Sequence, residues 1–263
     1  EALAQARARG RMRVPLYCVI TDFTAHPFWA FADVDRYFVA SDRVATELGE
    51  LGVARDRIEV TGIPVDPRFA NRIGRADARE RLGLPARRPI VLIMGGGSGV
   101  GPLGELAQRL ASLALEPLVI VACGTNQALL ERIEALPAVR TGDIRPLAFT
   151  HDVDLLLEAC DLVVGKAGGL TCSEALIKGA PLVIFKPTPG QEVRNAEYLK
   201  AAGAAVHADS VDQVETTVGR WLADADERDR VRAAALRLAA PNAAEVIARR
   251  VLEAIPAAVR RSA

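Results

Sequence analysis

Several short β-rich runs in this chain are apolar from end to end instead of alternating, and stretches of helical periodicity separate them. The runs are Val14 to Thr21, Tyr37 to Ala40, Ile58 to Thr61, Ile90 to Met94, Leu118 to Ala122, Leu162 to Val164, Leu182 to Phe185 and Ala204 to His207. A strand covered on one face alternates apolar and polar side chains; an uninterrupted apolar run is suited to a strand covered on both. Between the runs, Leu103, Leu106, Ala107, Leu110 and Leu113 repeat at helical spacing, as do Val153, Leu156, Leu157 and Cys160. This alternation predicts parallel sheets with helices on both faces, the doubly wound α/β class.

At 263 residues the chain is long enough for two modest domains. Gly62 to Gly74 holds two prolines in Gly62-Ile63-Pro64-Val65-Asp66-Pro67 and no periodicity, which marks a linker. The expected divisions are residues 1–66, with about three strands; 67–240, a complete α/β domain; and 241–263, a last helix with Pro241 in its first turn. This helix could cross back to the first domain. The chain opens at Glu1, without methionine and inside a predicted helix to Ala8, which predicts a piece of a longer protein.

Composition narrows the function. Lys+Arg 33 against Asp+Glu 33 gives no global field for nucleic acid, so any phosphate site must be built locally. Cys18, Cys123, Cys160 and Cys172 form no C-x-x-C pair and read as small core residues in a reducing compartment. No apolar run reaches the length of a membrane span, and no signal-peptide core opens the chain, so the expected location is cytoplasmic.

Ligands of open parallel sheets bind beyond the carboxyl ends of the strands. Here those ends carry Gly95-Gly96-Gly97-Ser98-Gly99, Cys123-Gly124-Thr125-Asn126, Gly165-Lys166-Ala167-Gly168-Gly169-Leu170-Thr171 and Lys186-Pro187-Thr188-Pro189-Gly190-Gln191-Glu192. Glycine lets backbone N–H groups approach an anion, and the following helix adds its positive end. Two such loops suit a diphosphate, although either alone could be a tight turn. The first matches neither the P-loop nor the dinucleotide spacing. Thr171-Cys172-Ser173-Glu174 has capping-box spacing, so Glu174 could cap its helix or accept ribose hydroxyls; the residues leave both readings open. Lys166 could meet a phosphate or solvent, and Gln191 and Glu192 sugar hydroxyls or an ordinary helix start.

The Asp-x-Asp pairs at Asp33, Asp152 and Asp224 have no third ligand nearby, so no metal is expected, and Asp152 suits a helix dipole. Arg7, Arg9, Arg11 and Arg13 could face anionic lipid headgroups or simply solvent. Thr21-Asp22-Phe23-Thr24-Ala25-His26-Pro27-Phe28-Trp29 puts acid, imidazole and indole after a strand, either as a site or as a packed tryptophan beside a structural histidine.

Taken together, the motifs resemble the diacylglycerol glycosyltransferases, comprising monogalactosyldiacylglycerol synthases and processive diacylglycerol glucosyltransferases. The resemblance rests on Thr21-Asp22-Phe23 with His26-Pro27 and Trp29, Val34 to Val39, Val60 to Val65, Met94 to Gly97, Lys166 to Thr171 with Glu174-Ala175-Leu176, and Pro189 to Glu192 with Asn195. It implies a GT-B fold of two Rossmann-like domains, the N-terminal one incomplete in this chain. It also implies an inverting, metal-independent hexosyltransferase without a cofactor, using UDP-glucose or UDP-galactose as a substrate. Diacylglycerol is the implied acceptor, and the implied location is the inner face of the cell membrane, peripherally on an anionic surface. By position, uracil would meet Ala148 and Phe149, and ribose Glu174. The diphosphate would meet Gly96, Gly97, Ser98, Gly99, Lys166, Gly168, Gly169, Leu170 and Thr171. The hexose would meet Gln191 and Glu192, with Asn195 beside them.

Two departures are visible. The family's earlier glycine-rich loop, with a histidine that serves as or assists the catalytic base, has no counterpart in this sequence, leaving Asp22 and His26 as candidate bases and Trp29 on the acceptor side. Ala148 stands where the family has glycine. The chain is therefore expected to bind donor and transfer little sugar. A UDP-sugar 2-epimerase of the same fold and a non-catalytic UDP-sugar-binding module are the competing expectations.

Overall fold

The computed structural model describes residues 2–12, 14–96 and 101–254. The chain divides into two compact units, Glu1–Pro67 with Ala240–Ala263, and Arg68–Ala239.

The first unit carries α1 (Ala2–Ala8), β1 (Tyr17–Val19), β2 (Arg36–Val39), α2 (Asp42–Glu50) and β3 (Ile58–Val60). The strands form a parallel sheet in the order β1-β2-β3, with Tyr37 opposite both Cys18 and Ile58. β1 is shorter than the apolar run predicted, because Pro15 has no N–H to enter a ladder and the chain turns away after Ile20. Tyr37, Val39, Val44 and Leu48 are fully buried and build the core beneath α2. Ser41 starts that helix, its hydroxyl accepting from the Val44 N–H. Gly62 has φ +87°, and a Cβ there would lie 2.1 Å from the Ala240 Cβ, so only glycine fits. The last helix begins at Ala243, and its first backbone bond runs from Val246 to the Asn242 carbonyl. Pro241 therefore lies in the turn before the helix, not in its first turn as the sequence predicts.

The second unit runs through α3 (Arg75–Arg81), β4 (Ile90–Met94), α4 (Leu103–Ala111), β5 (Leu118–Ala122), α5 (Gln127–Glu134), α6 (Pro137–Arg140) and β6 (Ile144–Leu147). It continues with α7 (Val153–Ala159), β7 (Leu162–Gly165), α8 (Gly169–Lys178), β8 (Leu182–Phe185), α9 (Gln191–Ala201), β9 (Ala205–Ala208), α10 (Val211–Ala223) and α11 (Ala225–Leu238). With α12 (Ala243–Ala254) of the first unit, these complete the described α-helices. All six strands are parallel, in the order β6-β5-β4-β7-β8-β9. The order reverses between β4 and β7, the place where an open α/β sheet leaves a crevice at its carboxyl edge. β6 was not among the predicted runs: Arg145 and Pro146 break its apolar pattern, and an edge strand tolerates proline.

Charge is buried behind this sheet in matched form. Asp161 accepts from Arg79 at 2.9 Å and from the Ile90 N–H at 2.8 Å, while Lys178 meets Glu158 at 2.8 Å at the end of α8. None of the four cysteines is in a disulfide, and burial pushes the Cys160 thiol up to about 12.

Candidate functional site

β4 and β7 lie side by side, and their register sets Met94 against Gly165. A Cβ on Gly165 would come within 2.9 Å of the Met94 carbonyl oxygen, so glycine is what permits this close approach at the strand ends. Beyond β4 the chain turns through Gly95 and Gly96, the latter with φ +72°. Gly97, Ser98 and Gly99 lie outside the described residues. Beyond β7, Lys166, Ala167 and Gly168 lead into α8, and beyond β8 the chain runs from Lys186 to Gly190 and into α9. A narrow pocket between these ends is lined by Met94, Gly95, Gly101, Lys166, Phe185 and Lys186, among others.

Both helices open on glycine. Gly168 precedes α8 and Gly190, with φ +100°, precedes α9, and among the described residues neither cap position carries a side-chain bond. Backbone N–H groups at such an opening, backed by the helix dipole, suit an anion. The capping-box reading fails here: α8 begins at Gly169, so Thr171 and Glu174 lie inside the helix, beyond reach of its cap. Gly168 allows the helix to start earlier than the serine and threonine suggest, and Ser173 instead donates its hydroxyl to the Gly169 carbonyl at 2.8 Å. Glu174 is half-buried, one turn beyond Leu170, which is exposed.

The loop before α9 is tied to the loop before α8. Asn195 is fully buried and donates from Nδ2 to the Ala167 carbonyl at 3.0 Å. Glu192 accepts from the Thr188 N–H at 2.5 Å, and Lys166 Nζ lies 3.4 Å from the Thr188 hydroxyl. Gln191 is exposed at the first position of the helix. Ala148 and Phe149 follow β6 at the far edge of the sheet, where the exposed Phe149 ring meets His151 edge-on at 5.1 Å. Arg68 donates to the His151 carbonyl at 2.8 Å.

Asp22, His26 and Trp29 belong to the first unit. His26 Nδ1 accepts from the Phe28 N–H at 3.2 Å and caps the short turn Pro27–Trp29. In the neutral ring this bond leaves the proton on Nε2. Glu47 holds the same loop, accepting from the Ala25 N–H at 2.6 Å and the Thr24 hydroxyl at 3.1 Å. Burial works against its charge, but those bonds and Arg43 outweigh it and keep the carboxyl below its ordinary value. Phe28 is 78% exposed and Trp29 half-buried, so phenylalanine is the aromatic this loop offers to solvent.

Of the acidic pairs, Asp35 is gripped by Arg7 and by the Leu16 N–H, and Asp224 caps α11 through the Glu227 N–H. Asp152 precedes α7 without a side-chain cap bond. Arg7 is thus already paired, and Arg13 lies outside the described residues. No described helix is long and apolar enough to cross a membrane.

The sequence residues did not single out Gly165 or Lys186 for a role. Gly165 opens a glycine loop legible in the sequence, but its closeness to Met94 depends on strand register. Lys186 has φ +48°, which nothing in its local sequence announces.

Residues 90–251 match the Glycosyltransferase family 28 C-terminal domain, a span exceeding half of the chain. The chain belongs to this glycosyltransferase family. Residues 2–65 of the family 28 chain also match Monogalactosyldiacylglycerol (MGDG) synthase. It is 33% identical over 248 residues to the processive diacylglycerol beta-glucosyltransferase of Bacillus subtilis (strain 168), covering 94% of this chain and 64% of that protein. It is 36% identical over 251 residues to the probable monogalactosyldiacylglycerol synthase 3, chloroplastic, of Oryza sativa subsp. japonica, covering 92% of this chain and 49% of that one. The chain thus spans less than two-thirds of either relative's length.

Among solved structures it is similar to Anabaena Alr3699/HepE in complex with UDP and glucose, at TM-score 0.60 and 17% identity, covering 96% of this chain and 74% of that one. It is also similar to the UDP-GlcNAc 2-epimerase from Neisseria meningitidis bound to UDP-GlcNAc, at TM-score 0.69 and 12% identity, covering 96% and 73%. At such identities the likeness establishes the fold, which is of the GT-B type.

Proposed function

We propose that this family 28 chain binds a UDP-hexose on its second unit, as part of an enzyme that transfers the hexose to diacylglycerol with inversion and without a metal or cofactor. The observation that carries the reading is the pair of glycine-opened, uncapped helices, α8 and α9, beside the β4–β7 switch point. Together they offer backbone donors to a diphosphate. Lys166, Gly168, Gly169, Leu170 and Thr171 would hold the diphosphate with the Gly96 loop, Glu174 the ribose, Ala148 and Phe149 the uracil, and Gln191 and Glu192 the hexose. Asn195 acts through the Ala167 loop it holds.

In the transfer, the acceptor hydroxyl oxygen bonds to the anomeric carbon from the face opposite UDP. The bond from that carbon to the β-phosphate oxygen breaks, its electron pair leaves with UDP, and the hydroxyl proton passes to a base. Asp22 and His26 are the candidates for that base and Trp29 for the acceptor side. Backbone N–H groups and helix dipoles stabilise the charge gathering on the diphosphate. A glycolipid product places the work at a membrane, and we assign it to the cytoplasmic inner face through peripheral contact with anionic lipid.

The named sequence relatives support transfer, whereas the epimerase likeness is one of fold alone. The test is incubation with UDP-glucose or UDP-galactose and diacylglycerol vesicles in chelator, following UDP, glycolipid and anomeric configuration. An inverted glycolipid with equimolar UDP upholds the reading. Interconversion of the sugar nucleotide without transfer replaces it with the epimerase. Because this chain spans less than two-thirds of these relatives' length, the assay is repeated on a chain extended to that length, and binding with neither reaction there leaves a UDP-sugar-binding module.

A further inference from the structure

Lys186 is the first residue beyond β8 and has φ +48°, in the left-handed region that lysine rarely adopts. It also precedes Pro187, and a residue before proline is biased toward extended backbone. Apart from glycine, the only other described residue with positive φ is Glu116, in an exposed turn remote in sequence from the strand-end loops. Glycine at position 186 would adopt this conformation without strain, so the backbone alone gives no reason for a lysine. The side chain does have a place: with Lys166 it lines the pocket at the ends of β4, β7 and β8. Its ammonium lies 5.5 Å from the centre of the Phe185 ring. Among the described residues, neither Lys166 nor Lys186 is ion-paired with a carboxylate, whereas the buried lysine of this unit, Lys178, sits on Glu158.

We propose that Lys186 closes a two-lysine clamp with Lys166 on the diphosphate of a nucleoside diphosphate, and that its left-handed backbone is the strain that aims it there. The proposal rests on the donor-site reading above and adds a residue that reading does not use. Lys166 approaches from the loop before α8 and Lys186 from the loop before α9, so the charges reach the diphosphate from adjacent strand ends. Strain of this kind persists where a site depends on it.

The experiment compares Lys186→Gly, Lys186→Ala and Lys186→Arg with the unaltered chain, titrating UDP and uridine calorimetrically and measuring thermal midpoints. Loss of the ammonium should weaken UDP by about tenfold in Lys186→Gly and Lys186→Ala, leave uridine unchanged, and be largely restored in Lys186→Arg. Lys186→Gly should at the same time melt higher, because glycine removes the backbone strain. Loss of UDP affinity with gain of stability is a combination that a purely structural lysine would not produce. Unchanged UDP affinity in Lys186→Gly, or equal losses for UDP and uridine, would overturn the clamp while leaving the donor site standing. Failure of the unaltered chain to bind UDP would overturn both.

Discussion

Asn195 donates its side-chain N–H to the carbonyl oxygen of Ala167 across 3.0 Å in the fully buried interior, fastening α9 to the loop that opens α8. The two loops proposed to hold diphosphate and hexose are therefore mechanically one piece. Asn195→Leu keeps most of the volume and leaves that carbonyl without this donor. We expect a loss of about 1–3 kcal/mol of stability, the cost of an unsatisfied buried polar group, and weaker UDP binding as the loop loosens. Urea unfolding and UDP titration of the same variant check this; an unchanged midpoint would show that the bond holds nothing in place.

Glu174→Ala separates ligand contact from helix formation. Because α8 begins at Gly169, Glu174 cannot contribute a cap, and the substitution should spare the helix start. If Glu174 accepts the ribose hydroxyls, UDP binding weakens by about 1–3 kcal/mol, the range for hydrogen bonds to a charged group. Titration with UDP and with inorganic pyrophosphate is the check. The ribose contact predicts a loss for UDP alone.

Gly165→Ala tests the close approach of β7 to β4. The added methyl would sit 2.9 Å from the Met94 carbonyl oxygen, a backbone atom within the sheet that has little room to retreat. Destabilisation of about 1–3 kcal/mol is expected from such overpacking. In the first unit, Gly62→Ala should be worse tolerated, since a 2.1 Å approach to the Ala240 Cβ is combined with a left-handed φ. A urea midpoint equal to that of the unaltered chain in either case would show that the backbone there yields freely.

Acid should weaken the first unit through Glu47. Burial works against its charge, but its hydrogen bonds and Arg43 outweigh that and hold its folded pKa below the ordinary glutamate value. A lowered carboxyl contributes its full stability above the unfolded pKa and loses it as pH falls through the folded one. Asp35 and Glu59 act in the same direction, each working against burial, through Arg7 and the Leu16 N–H, and through Arg250 and Arg36, respectively. Stability measured below about pH 4.5 should fall with acidification, and Glu47→Gln should be less stable at neutral pH with a shallower acid slope. An identical slope would remove Glu47 from the account.

The sequence made the second sheet readable because its central strands are covered on both faces: β4, β5 and β8 coincide with uninterrupted apolar runs. β6 escaped because an edge strand carries less of the hydrophobic burden, and Pro146 imitates a loop. The glycine loops were legible as loops, since local chemistry alone requires them. What remained hidden is tertiary. Whether Glu174 caps α8 depends on where Gly168 starts the helix, and Asn195 reads as part of a polar helix start until the fold turns it inward onto Ala167. The strain at Lys186 has no sequence signature, for lysine is common at exposed strand ends.

The central claim is that the switch point between β4 and β7 holds a nucleoside diphosphate through backbone groups, without a metal. It is tested most directly by calorimetric titration of this chain with UDP in the presence of chelator, alongside Glu174→Ala and Gly168→Pro. Gly168→Pro removes one backbone donor at the opening of α8 and restricts the residue before it. The account predicts saturable one-to-one UDP binding that chelator does not weaken and that both substitutions reduce. No binding by the unaltered chain, or binding that appears only when a divalent cation is restored, would contradict it.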